Sequence, residues 1–367
     1  MQQGFLVFYV AVLTGLGIAD GWGLLHKSGM SMMDRFAKPP VAPAFQHPQT
    51  FHAEQSSIDM ILFALLLLTP CMAMWRMFWK RIVFSRLADV CVGQGNTKVH
   101  AKFTEQAWLG WHFSLMFALE LVVLSRKPWW PSWATGLSSE MYATVEQRLE
   151  DQQDFGLRCM YSIQLAFYTL ELVTLVSRKE SRTRSDASLY LFHHIYTVLL
   201  LMGSWLLLCH RFGSLILIIH DVGDVFLPVG KCFSYSESKV KRTCSNNVLA
   251  LLQFAGTGVF ATFVVMFVVP RIMLFGTVLY QTGFELGWTV CCGTFSPETL
   301  ECTLMCPSLF YMKGLMALLL LLWPMQMFWM LLIFKMAAKV LTGLHQDVRS
   351  DDEEEVVESS PIKTKDV

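Results

Sequence analysis

The sequence predicts an all-α, polytopic transmembrane bundle of about seven spans, or eight if the N-terminal apolar run also crosses. Three observations carry that prediction. Hydrophobic residues make up 54% of the 367-residue chain and charged residues 16%, whereas a soluble chain carries about 25% charged residues. The apolar residues lie in blocks long enough to cross a roughly 30 Å hydrocarbon layer, which takes about 20 residues of helix. The connections between blocks alternate between basic and not basic, as expected of a chain threaded back and forth through a membrane.

The N-terminus, MQQGFLVFYVAVLTGLGIAD, holds a short apolar run that ends at Asp20 and lacks the basic start of a secretory signal. Residues 5–20 therefore fit a first span, an interfacial helix or a re-entrant piece. A linker with Pro and His follows over 38–51. Clear span candidates come at 58–79, 106–124, 157–176, 188–209, 212–229, 247–275 and 310–338. Two are weaker: 157–176 holds Gln164 and Glu171, and 212–229 holds His220, Asp221 and Asp224. The block at 247–275 is long enough to tilt or to extend beyond the lipid. The chain divides into an N-terminal segment (1–57), a first clear span with a basic loop (58–99), a six-span domain (100–340) and an acidic tail (341–367).

Charge orients these spans. Residues 80–105 carry Lys80, Arg81, Arg86, Lys98 and Lys102. Residues 177–187 carry Arg178, Lys179, Arg182 and Arg184, and 230–246 carry Lys231, Lys239, Lys241 and Arg242. Residues 276–309 contain no Lys or Arg, and 125–156 balance three basic residues against five acids. The three basic connections share the cytoplasmic side. Seven spans then place the C-terminus in the cytoplasm. Without the weak 212–229 span the 230–246 loop falls on the wrong face, so the span is kept despite its aspartates. The closing run DDEEEVVESS is too charged to pack and reads as a disordered cytoplasmic tail, with Ser350 a candidate for an acid-directed kinase. Formal net charge is zero, and no zinc-finger, Walker-type or dinucleotide glycine motif is present, which argues against nucleic acid as a partner. The ten cysteines form no CxxC pair. Cys291, Cys292, Cys302 and Cys306 cluster in the connection assigned to the lumen, where a disulfide is permitted.

The chemistry concentrates where the spans are most polar. Span 188–209 carries His193 and His194 near its cytoplasmic end, and the next span carries His220, Asp221 and Asp224. A very tight turn at His210–Arg211 makes the two antiparallel neighbours. Asp221 and Asp224, three apart, share a helix face. At 1.5 Å per residue, the depths of His193 and Asp224 below the turn differ by roughly 6 Å, so His194 and Asp224 can meet. A carboxylate in a span is expensive and normally faces the bundle interior with a partner. Histidine exchanges a proton near neutral pH, and aspartate can fix its tautomer. Four readings fit: proton-transfer catalysis, a proton-coupled transport path, a structural His–Asp cluster, and a metal site. Adjacent histidines point about 100° apart on a helix and cannot easily chelate one ion, so no metal ligand is assigned.

These residues bear a family resemblance. HHIYTVLL, followed by RFGSLILIIHDVGDVFLPVGK, closely resembles the signature of the ceramide synthases, the Lag1-type members of the TLC-domain family. KFTEQAW at 102–108 resembles the start of the TLC domain, SRKPWW at 125–130 the stretch after its first span, and QLAFYTLEL at 164–172 the next span. Asp186 falls where the family has an aspartate before the paired histidines. FWMLLIFKMAAKVLTG, then DVRSDDEEE, resembles the last span and acidic tail. The likeness covers about 100–355. Two departures stand out: Gly223 where the family usually has Ser, and Pro228 where many members have an acid.

The resemblance implies a TLC-domain fold in the endoplasmic reticulum membrane. It implies N-acylation of a sphingoid long-chain base by a fatty acyl-CoA, giving (dihydro)ceramide and CoA. It implies His193, His194, Asp221 and Asp224 as catalytic residues, with His220, Arg211, Gly213 and Asp186 in support. Acyl-CoA is then a co-substrate, no cofactor is permanently bound, membrane lipids are partners, and a homodimer is a family-level expectation. The alternative is a non-enzymatic TLC-like lipid-sensing or lipid-transport protein.

Overall fold

The computed structural model describes residues 55–130, 145–177, 187–280, 295–296, 301–302 and 307–341. Residues 5–20, Asp186, Cys291, Cys292, Cys306 and Ser350 lie outside them, as does the side chain of Cys302.

Seven helices are long and apolar enough to cross a membrane, and they coincide with the seven blocks read from the sequence. The first crossing is a continuous rod over Ser57–Cys91. It consists of α1 (Gln55–Phe63), α2 (Thr69–Trp79) and α3 (Ser85–Cys91), joined by π-helical turns at Ala64–Leu68 and Lys80–Phe84. The first of these turns precedes Pro70. Proline cannot donate to the helical ladder and its ring crowds the turn before it, so a local widening relieves the clash. Within that turn both the backbone N–H and the hydroxyl of Thr69 reach the Ala64 carbonyl.

The second crossing is α4 (Thr97–Leu124), opened by an Asn96 side chain that accepts from the Val99 N–H at 3.1 Å. A short surface helix, α5 (Val145–Gln153), precedes the third crossing, α6 (Phe155–Ser177). Asp154 caps α6 by accepting from the Leu157 N–H at 2.9 Å. The fourth is α7 (Ala187–Leu206) and the fifth α8 (His210–Thr243). The sixth runs from α9 (Asn246–Phe267) through a π-helical stretch, Val268–Leu274, into α10 (Phe275–Tyr280). A two-residue ribbon, β1 (Phe295–Ser296) against β2 (Glu301–Cys302), precedes the last crossing, α11 (Pro307–Leu341).

Two expectations need correction. The turn between α7 and α8 is not at His210–Arg211 but at Leu207–Cys209. There Leu208 adopts φ 57°, and the Cys209 N–H reaches the Ser204 carbonyl at 2.7 Å. His210 and Arg211 belong to the first turn of α8, because the left-handed residue closes α7 and lets the next helix start at once. Second, residues 230–246 are not mainly a loop: α8 continues to Thr243. Lys239 there donates to the carbonyls of Asp89 and Val90 at 2.8 and 2.7 Å, neutralising the C-terminal end of α3.

The weakly apolar fifth crossing is the central one. Half of its crossing window is buried inside the protein, against 22% for the first and fourth crossings. It packs along α4 and α9, so its polar residues face protein rather than lipid. Close packing at its start depends on Gly213, where an added Cβ sits 2.1 Å from the Tyr161 hydroxyl and 2.8 Å from Ser204 Oγ.

Candidate functional site

The polar side chains of α8 meet those of four other crossings at similar depth. Asp221 lies eleven residues past His210, which at 1.5 Å per residue is roughly 16 Å along the helix, about half of a 30 Å layer. Asp221 and His220 are buried. The amide nitrogen of Gln164, on α6, donates to Asp221 Oδ2 and, at 2.9 Å, to Oε1 of Glu120 on α4. The Tyr168 hydroxyl, one turn further along α6, donates to Asp221 Oδ1 at 3.4 Å.

Asp224, expected to face His194, gives its Oδ2 to Arg271 of the sixth crossing at 2.6 Å. Arg271 also donates from both Nε (3.2 Å) and an η-nitrogen (2.7 Å) to the backbone carbonyl of His220. Its position follows from its neighbour. Pro270 interrupts the ladder, the helix widens over Val268–Leu274, and the guanidinium turns inward over the Phe267 ring at 5.1 Å. Gly223 lets this happen, since a Cβ there meets the Met266 carbonyl at 3.3 Å and Arg271 Nε at 3.6 Å. The serine that the resemblance leads one to expect there has less room, so the glycine has a packing reason. Pro228, one turn on, removes the N–H that would otherwise bind the Asp224 carbonyl.

The paired histidines sit on α7 across from this cluster. His194 is buried; its Nδ1 faces the Tyr190 carbonyl at 2.9 Å, and its ring centroid lies 6.0 Å from that of Tyr168. Tyr168 thus stands between His194 and Asp221. His193 packs edge-on against Trp329 of α11, 5.2 Å between centroids, with its Nδ1 buried and without a hydrogen-bond partner. His193 lies within electrostatic reach of His194, His220 and Arg271. His220 Nδ1 meets the Ile216 carbonyl at 2.7 Å, and its Nε2 is buried without a partner. About one turn before Trp329 on α11, Gln326 is fully buried and neither of its amide atoms has a partner.

The structure therefore brings His193, His194, His220, Asp221 and Asp224 to one region and adds Arg271, Gln164, Tyr168 and Glu120. Arg271 was detectable in the sequence as a lone cation after a proline in an apolar run, and Glu120 as a lone acid near a span end. Arg211 and Gly213 stand apart from the cluster, at the far end of α8. Arg211 pairs with Asp151 of α5 at 2.5 Å and lies over the Trp129 ring at 5.5 Å. Burial works to raise the Asp151 carboxyl, but hydrogen bonds and charge from His210 and Arg211 outweigh it and hold the group below its ordinary value. Gln152 joins the same cap, accepting from Ser57 at 2.9 Å and donating to the Trp205 carbonyl at 2.5 Å.

A second ionic cluster lies at the basic end. Arg76 of α2 bridges Glu105 of α4 and Glu171 of α6, the latter at 2.7 Å, and Lys80 joins Glu105. A pocket of about 280 Å³ beside it is bordered by Arg76, Lys80, Arg81 and Leu170. Among the described residues no three of His, Cys, Asp and Glu are grouped to hold a metal ion.

The TLC-domain family model matches residues 102–335, which takes in every residue of the central cluster. Ceramide synthase LOH1 of Arabidopsis thaliana is 29% identical over 300 residues, 76% of this chain and 86% of that protein. ASC1-like protein 1 of Oryza sativa subsp. japonica is 30% identical over 258 residues, 69% of this chain and 74% of that protein. Ceramide synthase 4 of Bos taurus is 30% identical over 256 residues, 69% of this chain and 55% of that protein. With the family match spanning all but the first crossing, this multi-pass chain belongs to the TLC-domain family and is related to its ceramide-synthase-like members.

Proposed function

We propose that the protein is an N-acyltransferase that joins a fatty acyl group from acyl-CoA to a sphingoid long-chain base, yielding (dihydro)ceramide and CoA. The observation that carries this reading is the state of His194. Its Nδ1 donates to the Tyr190 carbonyl, so Nε2 bears the lone pair, in a buried cluster where Tyr168 stands between the ring and Asp221. That nitrogen is either the base that takes a proton from the amine or the nucleophile that attacks the thioester and carries the acyl group as an acyl-imidazole. In the direct route the C–S bond breaks, the amide C–N bond forms, and the amine proton passes through imidazole to the departing thiolate. In the acyl-imidazole route the C–S bond breaks as an acyl–imidazole bond forms and the ring's proton leaves with the thiol; that bond then breaks as the amide forms, the amine proton returning to the imidazole. Tyr168 links the charge of Asp221 to the His194 face, while Asp224 and Arg271 fix the backbone of α8 at His220.

In this reading the basic connections lie in the cytoplasm with the C-terminus, and the membrane is that of the endoplasmic reticulum. The phosphates of CoA then meet the basic rim at Lys80 and Arg81, where the pocket opens. The acyl chain lies among the spans, where each buried CH₂ contributes about 0.8 kcal/mol. His194→Ala in isolated membranes is expected to abolish ceramide formation at unchanged protein level. Undiminished ceramide formation by that variant removes both the base and the nucleophile roles.

A further inference from the structure

Glu120 has no part in the mechanism above, yet it is fully buried and bound to the centre of the site. It shares the Gln164 amide nitrogen with Asp221, and the two carboxyls lie within hydrogen-bond reach of each other. The groups that act on Glu120 are Asp221 from α8 and Gln164 from α6, and it in turn acts on Tyr168 and Tyr161 of α6. Arg271, which acts on Asp221, is committed to Asp224 and to the His220 carbonyl. Two buried carboxylates on one neutral amide repel each other, and burial leaves neither hydrated.

The donors decide which of the two gives up its charge. Asp221 has a donor on each oxygen, Gln164 on Oδ2 and Tyr168 on Oδ1. Glu120 has one donor, on Oε1, and its Oε2 is buried without a partner. An oxygen with no donor is the costliest place for an anion and the natural place for a proton. We propose that Glu120 and Asp221 hold one proton between them, with Glu120 the neutral acid, so that Glu120 is a positioning residue that keeps Asp221 singly charged beside Tyr168 and His194. The site then carries the Asp224–Arg271 pair and a single negative charge at Asp221, a balance that suits the ammonium of a long-chain base. The role given to Asp221 rests on the acyl-transfer reading; the proton count does not.

Infrared spectroscopy of the purified full-length protein in an ester-free detergent tests the count directly, because the carbonyl stretch of a protonated carboxylic acid is separate from carboxylate bands. At neutral pH the wild type is expected to show such a band, shifted on exchange into D₂O. The band is expected to vanish in Glu120→Gln and to survive at a moved frequency in Asp221→Asn. A wild type with no protonated-acid band at neutral pH overturns the proposal whatever the variants do. So does a band that Glu120→Gln retains or Asp221→Asn loses. No turnover is required, so this outcome and that of the ceramide assay stand or fall separately.

Discussion

Arg271 reaches the site because Pro270 forces its helix to widen, and it then makes two hydrogen bonds and one ion pair to α8. Its guanidinium offers Nε and an η-nitrogen to one carbonyl while pairing with a carboxylate, a fork that an ammonium cannot reproduce. Removing one member of a fully buried ion pair costs about 3–5 kcal/mol by stranding the other, and the partial exposure of Asp224 makes that an upper bound for this pair. Arg271→Gln is therefore expected to lower the thermal unfolding midpoint in detergent, with Arg271→Lys recovering only part of the loss. Adding Asp224→Asn to Arg271→Gln is expected to restore stability partly, since the stranded charge is gone. Equal midpoints for wild type and Arg271→Gln contradict the clamp.

The α7–α8 hairpin shows how an element sets the site. Its three-residue turn, closed by Leu208 in the left-handed region, fixes the register between the paired histidines and the aspartates. Gly213 then lets α8 approach α6 and α7 at Tyr161 and Ser204. Both contacts involve a hydroxyl held in place: Tyr161 donates to the His210 carbonyl at 3.0 Å. Gly213→Ala places a methyl where no flexible chain end can yield, and overpacking of this kind costs about 1–3 kcal/mol. The expected outcome is a lower unfolding midpoint together with reduced ceramide formation, as the aspartates shift relative to His194; an unaltered midpoint argues against the close approach. The hairpin itself was legible in the sequence, since a short link between two apolar blocks forces antiparallel neighbours. Its turn was misplaced by a residue or more because left-handed leucine leaves no signature of the kind glycine would.

Across the whole molecule, the sequence revealed the seven crossings and the central His–Asp cluster through two global constraints, the thickness of the bilayer and the alternation of charge. Those constraints required a crossing at 212–229, and the structure explains its polarity: it is the helix most enclosed by the others. What stayed hidden were the partners from distant crossings. Glu120, Gln164 and Arg271 come together through tertiary packing over long sequence separations, and no local pattern reports that. The far end of the bundle holds a separate device. Asp151 of α5 ties Arg211 and His210 to the surface helix, and its carboxyl is held below its ordinary value. A depressed carboxylate contributes stability above its unfolded value that fades as pH falls through the folded one. Unfolding midpoints of the wild type are thus expected to drop as pH falls below the ordinary carboxylate range, and to drop less in Asp151→Asn, whose baseline is already lower. Parallel pH dependence in the two proteins contradicts that role.

The central claim is that the buried histidines and acids perform acyl transfer. Purified protein given a fatty acyl-CoA and sphinganine, followed by mass spectrometry, tests it most directly. The account predicts equimolar dihydroceramide and free CoA from the wild type and neither from His194→Ala; intact substrates with the folded wild type, or their movement across a vesicle membrane without an amide product, contradict it.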